Sequence, residues 1–375
     1  MKIKLRKSDL LSAVNIAGRA IPAKTTMPIL SCFLVEAYAE GIYFSANDTE
    51  LAVRTMINPE KCEIFETGSI AIDARLLSEI VRKISLEESA EVMITSDGTL
   101  VEITSGNSLF RIQEKDPEQF PGLPEVSESR SISLSQFTLK EIIRDTIFSI
   151  AQNDSNKMMT GELFEVKRDN LRVISLDGHR ISIRNTGLKK DYGELKAIIP
   201  GKTLNEISKV IADDNEKEII LYFDPSFVSF RFDGTVMVSR LIDGEFFRID
   251  SMLSSDYETK LTVNKREFLS SVERASILIS ESDKKPLILK IEDETLNLRV
   301  NSQTGFLDDV LYTEKAGKNL MIAFNPKFLL DSLRAIDKET VTLYMTTPKA
   351  PCFIRDEENT YIYLILPVNF NPSAY

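Results

Sequence analysis

The chain has 375 residues, a formal net charge of −11, 43% hydrophobic and 27% charged residues. This is the composition of a soluble globular protein too long for one ordinary core, and 14 Pro and 15 Gly argue against long unstructured linkers. The acidity counts against nucleic acid, whose phosphates need Lys and Arg at the contact, although a net charge is a sum and can be unevenly distributed.

The amino terminus opens with MKIKLRK, but Asp9 and Asn15 interrupt any export signal, and apolar runs such as Tyr361 to Val368 are far shorter than the ~18 residues a spanning helix needs. Cys32, Cys62 and Cys352 are odd in number and lack CxxC spacing, so neither a disulfide framework nor a zinc site is indicated and a cytoplasmic location is expected. His179 is the only histidine, which excludes an imidazole-rich metal site. No phosphate loop, dinucleotide fingerprint, zincin or nucleophile-elbow motif occurs, and no cofactor is expected.

In chain order, Lys7 to Arg19 places Leu10, Leu11, Val14 and Ala17 on one side and stops before Pro22, predicting a helix. Alternating stretches at Leu30 to Ala37, Gly41 to Ala46 and Leu51 to Ile57 predict strands. Ile72 to Ile84 predicts a second, amphipathic helix, and Glu91 to Thr95, Leu100 to Thr104 and Ser108 to Gln113 predict three more strands. The same order then returns. Helices are predicted at Ser135 to Ile150 and Ile199 to Ile211, with strands at Leu163 to Lys167, Leu171 to Ser175 and Arg180 to Asn185 between them. Strands at Glu218 to Phe223, Phe227 to Phe232 and Thr235 to Leu241 follow. A third round has helices at Lys265 to Leu278 and Phe324 to Ile336, with strands at Thr340 to Met345, Cys352 to Asp356 and Thr360 to Leu366.

The second helix of each round repeats about every 125 residues, with Arg75, Lys202 and Lys327 at matching places and Arg82, Lys209 and Arg334 seven residues, or two turns, further on. One such basic stripe is ordinarily a solvated surface, and it is the recurrence that changes the odds. The chain therefore reads as α+β: three repeated domains, each with two helices packed on antiparallel sheets, with boundaries giving residues 1–124, 125–253 and 254–375. The junctions are Asp116 to Pro124 and Asp243 to Asp256.

Two strings stand out. SLDGHRI at Ser175 to Ile181 carries an Asp-Gly turn signal, and alone it favours a hairpin turn with His179 and Arg180 projecting to solvent. YLILPVNF at Tyr363 to Phe370 runs a hydrophobic strand through Pro367, in isolation an edge strand closed by proline. With the three units, the FPGLP junction, Met27-Pro28-Ile29-Leu30 and the recurrent basic helix, these strings resemble the bacterial DNA polymerase III beta subunit family of sliding clamps over essentially the whole chain.

The resemblance implies a homodimeric ring of six domains around duplex DNA, with helices lining the hole and no catalysis of its own. It implies sequence-independent phosphate attraction by Lys24, Arg75, Arg82, Lys202, Lys209, Lys327 and Arg334, moderated by Glu79, Glu206 and Asp331 on the same helices. It also implies a cleft for Q-x-x-L-F-like peptides of the replicative polymerase alpha subunit, the clamp-loader complex and other clamp-binding proteins. The cleft wall would include Met159, Gly178, His179, Arg180, Ile181, Phe247, Met252, Leu364, Leu366, Pro367 and Val368. Phe247, Ser251 and Asn369 depart from the usual proline, arginine and arginine, and Asn371 to Tyr375 extends beyond the usual terminus. A dimer interface is implied at Phe110 and Ile112 against Ile277 and Leu278, although strand alternation equally allows these side chains to fill their own core. From the residues alone, an interaction scaffold that never encircles DNA and an enzyme on a repeated scaffold using His179 remain open.

Overall fold

The computed structural model describes residues 1–152, 156–253, 256–279 and 285–371. Six α-helices are present among them: α1 (Lys7–Ala17), α2 (Ala74–Lys83), α3 (Gln136–Thr146), α4 (Gly201–Ser208), α5 (Lys265–Ser276) and α6 (Pro326–Ala335). Each matches a predicted helix, with ends pulled in for physical reasons. The apolar pattern begins early in the three basic helices because the residues before α2, α4 and α6 end the strands Gly68–Asp73, Glu194–Pro200 and Leu320–Phe324. Asp73 then caps α2 by accepting from the Leu76 N–H at 2.8 Å, and Asn325 caps α6 by accepting from the Lys327 N–H at 3.0 Å, with Pro326 at the first helical position.

By compactness the chain divides into two units. The first (residues 1–139 and 202–241) holds a five-stranded sheet that includes Lys2–Arg6 and ends on Ser108–Gln113, and an eight-stranded sheet. The larger sheet joins Leu51–Ile57 to Thr235–Arg240, pairing Thr55 with Thr235 and Ala52 with Val238. Helices α1 and α2 pack on one another, and Leu10, Val14, Leu77 and Val81 are buried.

The second unit (residues 140–201 and 242–375) holds a nine-stranded sheet and a four-stranded sheet ending on Phe306–Tyr312. Here Arg180–Gly187 pairs with the carboxyl-terminal strand Tyr361–Ile365, Ile181 opposite Leu364. Helices α5 and α6 pair, covering a core that includes Phe268, Phe324, Leu329 and Leu333. Among the described residues the strand pairs are antiparallel, and these two joins make both larger sheets run across segments that are distant in sequence.

The strands Lys2–Arg6, Ser131–Ser135 and Thr259–Asn264 precede the first helix of each round. They escape the pattern because five or six alternating residues run without a turn signal into a helix.

One core residue is out of keeping with its surroundings. Glu162 is 0% exposed, and burial pushes its carboxyl up to about 8; its neighbour Thr146 donates its hydroxyl to the Ile142 carbonyl at 2.7 Å. The folded state therefore holds a proton that the unfolded chain releases near pH 4.5, and stability falls as pH rises from there through 8. Glu162→Gln should match the parent near pH 4 and exceed it by about 4 kcal/mol near pH 8, read from urea midpoints at the two pH values.

Candidate DNA-facing helices and peptide cleft

In the first unit, a groove of about 610 Å³ brings Arg75, Arg82 and Lys202 together along the helices, joined by Arg19, which the sequence reading missed. Arg19 lies in a short 3-10 turn after α1 (Gly18–Ala20), outside the repeated helix that drew attention to the others. The groove is not uniformly positive. Arg75 meets Glu79 at 3.5 Å, Arg19 meets Glu206 at 3.4 Å, Lys209 meets Glu206 at 2.7 Å, and Lys202 is held by Asp48. In the second unit Arg334 meets Glu273 at 2.9 Å. Lys24, Arg82 and Lys327 are exposed and make no ion pair among the described residues. Three of the seven proposed cations thus carry uncompensated charge, and four share theirs with a carboxylate.

The other candidate site lies wholly in the second unit. At its centre Asp177 accepts from the N–H groups of His179 at 3.0 Å and Arg180 at 3.1 Å, and Gly178 turns the chain at φ +83°. A side chain there would be strained, which is why glycine suits the position. The turn is the one the string predicts, but Arg180 does not project to solvent. It is 7% exposed, with its guanidinium on Asp177 at 3.0 Å, on Asp331 at 2.6 Å and on the Phe148 carbonyl, over the Phe328 ring at 4.5 Å. A planar fork with several donors satisfies all of these at once, so burial wins over exposure. His179 stacks on Phe328 with ring centroids 6.1 Å apart, and its carbonyl accepts from the Leu366 N–H at 2.9 Å, tying the turn to the carboxyl-terminal segment.

Ile181 and Leu364 sit in a buried apolar cluster with Leu176, Phe246, Tyr344 and Phe353, and Met159 packs at its edge. Leu176, Phe246, Tyr344 and Phe353 were missed, although alternation already sets Leu176 and Ile174 on one face. Phe247 stands edge-on to Phe246 at 5.9 Å and is half-exposed, as are Leu366 and Val368; Pro367 is partly covered, and Met252 is 56% exposed. The result is a buried apolar floor with exposed apolar lips beside one charged anchor, chemistry suited to seating apolar side chains of a peptide. Ser251 and Asn369 are exposed, while residues 372–375 of the carboxyl-terminal extension lie outside the described residues. Among the described residues no cluster of His, Cys, Asp or Glu could hold a metal.

The proposed interface residues divide by exposure. Ile277 is 81% exposed, Phe110 is at the surface, and Ile112 and Leu278 are half-buried. Leu109 on one terminal strand, with Phe306, Val310 and Tyr312 on another, are also exposed and were missed. Each strand is the open edge of its own sheet. Natural proteins seldom leave such apolar edges bare.

A thrice-repeated α+β frame with basic helices and antiparallel sheets defines the class of DNA clamps. Family models for the DNA polymerase III beta subunit match here as its N-terminal domain over residues 1–124, its central domain over 133–247 and its C-terminal domain over 250–369. The chain is 30% identical to the beta sliding clamp of Staphylococcus epidermidis, with 98% of this chain and 99% of the relative covered. A crystal structure of the Bacillus subtilis sliding clamp superposes with a TM-score of 0.95 at 29% identity, over 99% of this chain and all of that one. A structure described as a DNA polymerase III beta subunit from Eubacterium rectale gives a TM-score of 0.94 at 50% identity, over 99% and 100% of the two chains. The chain belongs to the DNA polymerase III beta subunit family, the beta sliding clamps. Its function is that of a polymerase processivity factor, a non-catalytic accessory subunit. His179 accordingly needs no role as a catalytic base.

Proposed function

We propose that two copies of this chain, each with domains at residues 1–124, 125–253 and 254–375, close into a ring around duplex DNA in the cytoplasm. The edge strands Ser108–Gln113 and Phe306–Tyr312 support this reading: each leaves its backbone pairing unfinished while exposing large apolar side chains. Joining one to the other across two copies would pair both of these edges and bury those side chains, and two such joints close a ring. Phe110 and Ile112 would then meet Ile277 and Leu278 of the second copy.

Lys24, Arg75, Arg82, Lys202, Lys209, Lys327 and Arg334 would attract phosphates without reading bases. The cleft around Arg180 would take short peptides of the replicative polymerase alpha subunit, the clamp loader and other clamp-binding proteins, with Phe247 in place of the usual proline narrowing its lip. The observation that carries the cleft reading is the apolar floor of Ile181, Leu364 and Phe353 held open beside a fully engaged arginine.

Light scattering at micromolar concentration tests the assembly. A chain of 42.3 kDa should give a mass of about twice that value, returning to the single-chain mass when Phe110 and Ile277 are both changed to aspartate. A parent protein already at the single-chain mass would exclude the ring and leave the non-encircling scaffold.

A further inference from the structure

The turn that organises the second-unit cleft has a double in the first unit. Asp48 accepts from the N–H groups of Glu50 at 3.0 Å and Leu51 at 2.7 Å, as Asp177 does from His179 and Arg180. Thr49 takes φ +76° where Gly178 takes +83°. The Arg240 N–H donates to the Glu50 carbonyl at 2.9 Å, as the Leu366 N–H does to His179. Ala52 lies opposite Val238 as Ile181 lies opposite Leu364. The backbone frame of the cleft has therefore been kept, with other side chains mounted on it.

Beside this second frame is a groove of about 220 Å³, walled by Met27, Leu30, Ala52, Pro121, Phe227 and Val238. Its lip is charged where the other is apolar. Glu50 stands in the place of His179 and Arg240 in the place of Leu366; among the described residues neither makes an ion pair, and the Arg240 guanidinium rests 5.2 Å from the Phe227 ring centroid. Lys202 neutralises Asp48, the part that Arg180 plays for Asp177. With alanine and valine on the floor for isoleucine and leucine, the groove suits a single apolar side chain, and its exposed guanidinium suits a carboxylate next to it.

We propose that this groove is a second peptide-docking site, taking a short extended partner segment with one apolar anchor beside an aspartate or glutamate. The proposal rests on the reading of the second-unit cleft as a peptide site, whose frame it shares. It also explains why Arg240 and Glu50 occupy the lip: the two clefts would select different partners, one by apolar lips and one by charge.

Methionine-methyl NMR on the full-length protein separates the two sites, because Met27 reports the groove and Met159 and Met252 report the cleft. Acetyl-Gly-Asp-Leu-Gly-amide should shift Met27 saturably. Its Asn-Leu counterpart should bind at least about fivefold more weakly, as should the acidic peptide to Arg240→Gln, a charge neutralisation at an exposed site whose folding the remaining methyl signals check. Glu50→Lys should strengthen the acidic peptide by a comparable factor, a second variant that needs no loss of binding to be read. A Met27 signal that stays still at millimolar peptide, or that moves alike for both peptides and in Arg240→Gln, overturns the proposal. A Gln-Ala-Ala-Leu-Phe peptide tests the other cleft independently. If it fails to move Met159 and Met252 while Met27 responds to the acidic peptide, the first groove is supported and the second-unit cleft reading falls.

Discussion

Arg180→Ala should destabilise the second unit by about 3–5 kcal/mol and remove Gln-x-x-Leu-Phe peptide binding. The guanidinium is the shared partner of Asp177, Asp331 and the Phe148 carbonyl, and its loss leaves two shielded carboxylates without their counter-charge and one carbonyl without a donor. The same change frees the turn that hands the His179 carbonyl to the Leu366 N–H, so the cleft should lose its lip together with its stability. Arg180→Lys restores the charge but not the fork, and should recover less than half of the stability. Urea midpoints and peptide titration on the three proteins check both parts. An Arg180→Ala protein as stable as the parent would contradict the reading of this arginine as a buried strut.

The second large effect should come from the cations that no carboxylate holds. Arg82→Ala and Lys327→Ala should each weaken binding to short linear duplex by roughly tenfold at low salt and flatten its salt dependence by about one phosphate contact. Lys209→Ala and Arg334→Ala should each cost about threefold or less, since Glu206 and Glu273 already share those charges at 2.7 and 2.9 Å. The comparison is read from binding curves at several salt concentrations. Equal losses across all four positions would mean that the internal ion pairs break on contact with DNA and do not grade the contribution.

Much of this was legible in the sequence because repetition is a stronger signal than any local motif. Arg75, Lys202 and Lys327 at one spacing established three α+β domains, whereas each helix alone looked like ordinary surface. What stayed hidden was whatever depends on partners distant in the chain. The joining of Thr55 to Thr235 and of Ile181 to Leu364 cannot be read from alternation, which gives a face and not a neighbour. Arg180 looked solvent-bound because its partners Phe148, Asp331 and Phe328 lie at separate places in the sequence. Arg19 escaped because it sits outside the repeat, and the Asp48 turn because Thr49 replaces the glycine that made DGHR visible.

Placing the protein on nicked circular DNA with its loader, linearising half of the sample, and washing both in about 1 M salt tests the encircling claim most directly, because salt at that level removes phosphate attraction but not topology. A ring should stay on the circles and be lost from the lines. Equal loss from circles and lines would contradict encirclement and leave only electrostatic binding.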